Sequence, residues 1–200
     1  LRLFDAGVNG AGPNGAVVET ELTRGGRVLA RGGGGGAFFG IFGFNFLNAA
    51  GDAQPLLAGD LVKLRFVGLS SYDYTVPELD AQADPAADTV GGRAPAGAEV
   101  QVTAGVGGGA ATVRVVADAT GRYLAGFSGQ VDLAPGSSGQ VQLVQRQPGL
   151  TVTLSRTWAL TRIEALLGSG TVSGVTAPDA PVTLILRGAG GAEKGRAAVA

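Results

Sequence analysis

Cysteine, methionine and histidine are all absent from this 200-residue chain, and lysine occurs only twice, at Lys63 and Lys194. Without cysteine or histidine there can be no disulfide and no thiolate or imidazole metal ligand. Ser-His-Asp and Cys-His nucleophilic arrangements are excluded for the same reason. The lack of cysteine does not by itself fix a compartment. Charge is also scarce: Asp, Glu, Lys and Arg make up 16% of the chain and the formal net charge is -1. Nothing in that balance attracts nucleic acid or an anionic membrane surface. No apolar run is long enough for a membrane helix, because the best stretch, Ala37 to Ala50, covers 14 residues, against the roughly 20 a span needs. The opening "LRLFDAGVNG" has a short apolar start followed by turn residues, unlike a signal peptide. With no initiator Met, a processed chain or a fragment is expected.

Glycine is abundant instead, at 36 residues, and with nine prolines it accounts for 45 of 200 positions. That proportion approaches the range of disordered chains, but the many Val, Leu and Phe residues fall in short alternating runs, which is the pattern of strands. The densest run is "GGGGGAFFGIFGFNFLNAAG" at 32–51. Phe38, Phe42, Phe44 and Phe46 share one parity and would lie on one face of a strand, with Phe39, Ile41 and Leu47 on the other. Such a strand is buried on both sides or awaits a partner. The pentaglycine at 32–36 lacks the Gly-Lys-Ser/Thr ending of a phosphate loop and reads as a flexible hairpin loop.

The chain repeats itself. "VNGAGPNGAVV" at 8–18, "VGGRAPAGAEV" at 90–100 and "VSGVTAPDAPV" at 172–182 align at offsets of 82, with Gly10, Gly92 and Gly174 coinciding. "PLLAGDLVKL" at 55–64 matches "DLAPGSSGQVQL" at 132–143. "YDYTVPEL" at 72–79 pairs with "WALTRIEA" at 158–165, setting Tyr72 beside Trp158. Phe44 to Leu47 takes the place of "GRYL" at 121–124 in this alignment, with Phe46 opposite Tyr123. Short strands with Gly/Pro turns at this spacing predict an all-β architecture of tandem β-sandwiches. The repeat is about 82 residues and the last copy is incomplete, giving units at 1–74, 75–157 and 158–200. "TRIEALLG" and "TVPELDA" are both expected to be extended.

The string "TVPELDAQADPAADTVGGRAPAGAEVQVTA", the later "ADATGRYLAGF" and the Pro-Gly turn before "QVQLV" resemble tandem bacterial immunoglobulin-like domains. They are also similar to carboxypeptidase-regulatory-like domains. The resemblance covers roughly residues 8 to 200. It implies Ig-like sandwiches in a long surface or secreted protein, acting as a stalk, adhesin body or filament component, with no shared catalytic residues to carry over.

The remaining candidates for chemistry are few. Asp80, Asp84 and Asp88, with Glu78 nearby, lie in the connector before the second repeat. Calcium between modules would need six to eight oxygen ligands, and the connector at 163–171 keeps only Glu164, so a solvated connector is expected. Lys63 alternates with Val62 and Leu64, as a solvent-facing lysine does, rather than a buried isopeptide lysine. Tyr72, Tyr74 and Trp158 are expected to pack in the core or an interface, and they are also the candidates for a carbohydrate-stacking surface. An enzyme working through paired carboxylates needs two acids facing one cleft. Nothing in the spacing sets two acids that way, so no catalytic residue, cofactor or metal is expected.

The third repeat holds little more than "PVTLILR", the loop "GAGGAEKG" and "RAAVA". A lone hairpin is marginal in water and its bare edges invite pairing. Either it packs on the second repeat, or it belongs to a longer array, or another chain completes it by strand addition, which builds filaments. The expectation is a self-associating structural protein at the cell surface or outside the cell, a stalk, fibre or surface layer. Phe38, Phe42, Phe44 and Phe46 serve as core or contact, and Val182, Leu184 and Leu186 as the strand that seeks a partner. The alternative is an adhesin or carbohydrate-binding module.

Overall fold

The computed structural model describes residues 1–36, 40–106, 109–166, 171–176, 182–187 and 189–199. Every regular element among them is a strand. In chain order these are β1 (Arg2–Phe4), β2 (Gly7–Ala11), β3 (Val17–Arg24), β4 (Arg27–Gly36), β5 (Ile41–Asn45), β6 (Leu61–Phe66) and β7 (Ser70–Thr75). Then come β8 (Gln82–Asp84), β9 (Thr89–Arg93), β10 (Glu99–Val106), β11 (Gly109–Val116), β12 (Arg122–Gly126), β13 (Ser138–Gln147) and β14 (Leu150–Ala159). The last four are β15 (Arg162–Leu166), β16 (Thr171–Val175), β17 (Val182–Arg187) and β18 (Glu193–Val199). Turn chemistry punctuates them. Gly25 and Gly26 both adopt positive φ, 56° and 79°, which a two-residue hairpin turn between Arg24 and Arg27 requires. Asp118 closes the turn before β12 by accepting hydrogen bonds on Oδ1 from the Thr120 and Arg122 amides.

The strands fall into two sets with one plan. In the first, β4-β3-β6-β7 form one sheet and β1-β2-β5 form part of another; in the second, β11-β10-β13-β14 and β12-β9-β8 stand in the same order. β15 pairs with β16 and β17 with β18 as the first four strands of either set do. Strands β2, β9 and β16 begin at residues 7, 89 and 171, which are 82 apart (89 − 7 and 171 − 89). Alternation buries one face of each sheet: Val18, Leu22, Val62 and Leu64 in the first set, Val100, Val102, Val141 and Leu143 in the second. Across the first sandwich, the Phe42 ring meets Phe66 edge-on, with centroids 5.8 Å apart.

Register corrects several sequence alignments. Gly10 pairs with Phe42, and Gly92 with Tyr123, so Phe42 takes the place of Tyr123, and Phe46 that of the equally buried Phe127. The sequence match of Phe46 with Tyr123 is off by four residues because nothing in the Gly- and Phe-rich run marks the register that strand pairing sets. Likewise Val62 pairs with Tyr74 and Gly139 with Trp158, so the counterpart of Trp158 is Tyr74, not Tyr72. The Phe-rich strand β5 has one buried face, with Phe42 and Phe46 in the core, Phe44 half-buried, and Ile41 66% exposed on the other side. Phe38 and Phe39 lie outside the described residues.

The pentaglycine is not a loop but the end of β4, paired with β3 across a bulge. Glycine is needed there for close approach. A Cβ on Gly33, at φ 122°, would come within 2.2 Å of the Val18 carbonyl, and one on Gly32 would press on Phe44 at 3.2 Å. "TVPELDA" also departs from expectation: Thr75 ends β7, but residues 76–81 form a connector without ladder pairing. The Leu166 end of "TRIEALLG" is extended as β15.

Candidate functional site

Almost every neighbouring pair is antiparallel. Among the described residues the exception is β1 with β14, which run parallel with Arg2 beside Thr153 and Leu3 beside Leu154. The Thr153 amide donates to the Leu1 carbonyl at 2.8 Å and the Leu1 amine to the Thr151 carbonyl at 2.9 Å. This contact fuses two sheets into one of seven strands, β11-β10-β13-β14-β1-β2-β5, and completely buries Leu3 and Leu154. It is possible because β13 and β14 run ten residues each where β6 and β7 run six. The longer hairpin reaches past its own sandwich to the first strand of the other.

Side chains lock the same joint. The Tyr74 hydroxyl donates to Gln145 Oε1 at 2.8 Å, and burial pushes the Tyr74 pKa up to about 12, so the phenol stays a donor. Arg156 donates to the Leu56 carbonyl at 2.6 Å, and Thr157 donates to Asp5 at 2.9 Å. Burial lowers the Arg156 pKa while the charges of Asp5 and Asp60 oppose that shift. Asp60 is 1% exposed and takes a two-pronged hydrogen bond from Arg24, both contacts at 2.8 Å. Burial alone would raise its pKa, but Arg24, the Leu57 amide and Arg156 together hold it below the ordinary value. Arg24 thus grips this buried carboxylate directly, and the charge of Arg156 at the junction adds to the same effect from beyond ion-pair distance.

The two large sheets present different outer faces. In the first set, Glu21 meets Arg31 at 3.0 Å and Lys63 at 3.8 Å, and Glu19 meets Arg65 at 3.5 Å. These charges line a shallow depression of about 700 Å³ and pair off within it. Lys63 is therefore an exposed ion-pair partner. At the equivalent ladder positions the second set carries Thr103, Thr112, Gln140 and Gln142, with Thr103 and Thr112 sharing a hydrogen bond at 3.0 Å.

The aspartates of the connector are engaged with main chain: Asp80 Oδ1 accepts from the Arg93 amide, Asp84 from Ala86 and Asp88 from Leu133. Among the described residues no group of three or more potential metal ligands comes together. The stacking surface fails on geometry. Tyr74 is 1% exposed and Trp158 4%, so neither ring offers a face to a sugar, and Tyr72 is half-buried against Phe66. Their apolar surface is worth more in the core than in water. Of the candidate partner strand, Val182 and Leu184 are half-buried and Leu186 is 64% exposed. The parallel β1–β14 contact had no sequence signal beyond the extra four residues of the second hairpin.

No protein-family model matches the chain, and no curated protein matches it. Among solved structures it is similar to a tetra-tandem repeat from the extending region of a large adhesion protein, at 15% identity and TM-score 0.28 over 98% of this chain. The chain spans 58% of the length of that structure. It is also similar to the CD2-binding domain of CD58, at 10% identity and TM-score 0.26, covering 82% of this chain and 98% of that one. A third similarity is to E. coli alpha-2-macroglobulin in its native conformation, at 11% identity and TM-score 0.25, covering 96% of this chain and 16% of that one. Similarity this distant carries no function across.

Proposed function

We propose that the chain is a stretch of a tandem array of β-sandwich modules, β1–β7, β8–β14 and the opening strands β15–β18 of a third. It serves as a structural, non-enzymatic stalk, fibre or adhesin body at the cell surface or outside the cell. One observation carries this reading. Val172 is 44% exposed, whereas Val8 and Val90, its counterparts in β2 and β9, are wholly buried. Leu186 is 64% exposed where Leu22 and Ala104 are at 0%. The third set thus displays the core face of a sandwich whose fifth to seventh strands are to be supplied, by a following segment or by another chain, through pairing on β16 and β17.

Electron microscopy of the native protein tests the reading, together with light scattering of Leu184→Asp. Fibres or concentration-dependent oligomers that Leu184→Asp abolishes are expected when strands come from another chain. Discrete rods whose size does not depend on concentration are expected of a cis array. Unchanged assembly and solubility in Leu184→Asp would exclude β17 as the acceptor.

A further inference from the structure

The first set is closed along its β1/β7 side by the β13–β14 hairpin. The equivalent side of the second set, between β8 and β14, is open. A cleft of about 550 Å³ lies there, lined by Leu79, Gln82, Ala83, Arg156, Trp158 and Leu160. Three features match the closed side. First, β8 takes the place of β1: Ala83 pairs with Val90 as Leu3 pairs with Val8, and β8 is an edge of its sheet where β1 is not. Second, Ala83 is half-buried where Leu3 is fully buried. Third, Trp158 stands in the place of Tyr74. The Tyr74 hydroxyl is satisfied by Gln145 of the incoming hairpin, whereas the buried Trp158 Nε1 finds no acceptor among the described residues. A buried donor left unmade is costly, and this one belongs to the residue at the ladder position of Tyr74, whose hydroxyl is met by the neighbour's acceptor in the closed joint.

We infer that the cleft beside β8 is a docking slot for the sixth- and seventh-strand hairpin of the next module, the one β15 begins. The inference rests on the tandem reading above. The last strand of that hairpin lies parallel to β8 and continues the β12-β9-β8 sheet, and a side-chain carbonyl on its sixth strand accepts from the Trp158 indole. The occupant is a long hairpin of the β13–β14 kind. β7 begins at Ser70, the counterpart of Leu154, so the β6–β7 hairpin ends before the residues that reach a neighbour, and β14 of any copy is already engaged by β1. Modules would then be joined side by side through shared sheets, giving a stiff array instead of beads on linkers.

The test uses the whole 200-residue chain, isotopically labelled, and a synthetic peptide with the sequence of residues 140–155, which contains the docking part of the hairpin and no tryptophan. Saturating peptide is expected to move the indole N–H resonance of Trp158, the sole tryptophan, and to slow amide exchange in Gln82–Asp84 at least about tenfold, one hydrogen bond's worth. A peptide carrying Gln145→Ala should still protect β8 but leave the indole resonance in place. No change at either site overturns the inference. Protection confined to β16 and β17 overturns the β8 slot while upholding strand completion of the third module. Dimerisation of the chain alone that protects β8 puts a second copy in the cleft and overturns the assignment to the next module.

Discussion

At the scale of single residues, the two sandwiches solve one problem in two ways. Leu56 and Leu133 are both 2% exposed, and four residues on, Asp60 and Ser137 are both 1% exposed. Each polar side chain caps the turn before its strand: Asp60 Oδ2 accepts from the Leu57 amide and Ser137 Oγ from Ala134, both at 2.8 Å. Only Asp60 also holds a cation, Arg24. Asp60→Ser should keep the cap and lose the ion pair. The expected cost is about 2 kcal/mol, below the roughly 3–5 of a fully buried pair because Arg24 is more than a third exposed. Asp60→Ala should cost more, since the Leu57 amide then loses its acceptor. Urea unfolding of the three proteins orders them. The pH dependence follows from the sign of the shift. Asp60 is held below its unfolded value of 3.8, so its contribution is present above that pH and is lost as pH falls through the lower folded value. The stability gap between wild type and Asp60→Ser should therefore be flat near neutrality and close under strong acid; a gap that widens on acidification would contradict the assignment.

At the scale of elements, hairpin length decides who meets whom. The β13–β14 extension carries Thr151 and Thr153, whose main-chain groups hold Leu1. Thr153→Pro removes the amide that donates to Leu1 and sets its ring against the Leu1 carbonyl, because β14 is flanked there by β1 and is not an edge strand. The expected effect is a loss larger than the roughly 1 kcal/mol of the single hydrogen bond removed, together with faster amide exchange in β1 and β2 and unchanged exchange in β10 and β13. Equal acceleration in β10 would show that the joint is not a separable element.

At the scale of the molecule, the seven-stranded sheet makes two sandwiches into one body. Gln145→Ala leaves the buried Tyr74 hydroxyl without its partner, a cost of roughly 1–3 kcal/mol. It is expected to fall on the junction, so that a single unfolding transition splits into two by calorimetry. Gln145→Glu should restore an acceptor but add a charge beside buried groups, recovering only part of the loss.

Much of this was legible beforehand. Alternation in "AEVQVTA" and "ATVRVVA" announces β10 and β11, and Gly10, Gly92 and Gly174 mark equivalent strands, because period-two patterning and close-approach glycines are local requirements written residue by residue. The sequence sets Tyr72 beside Trp158, two residues from the true counterpart Tyr74, since loop lengths slide alignments that only pairing can pin. The pentaglycine looked like a loop because local propensity favours one, whereas its conformation is dictated by Phe44 and the Val18 carbonyl, which are distant in sequence.

By itself, then, the sequence determined the β class, the 82-residue spacing of equivalent segments and the absence of any thiol or imidazole chemistry. All of these follow from composition and short-range periodicity. Tertiary structure alone decided that β14 lies parallel to β1, that Arg24 pairs with the buried Asp60, and that the Trp158 indole meets no acceptor among the described residues beside the β8 edge. Those facts depend on backbone groups and buried polar atoms meeting across as many as 150 residues, where solvent exclusion and not local pattern sets which contacts form.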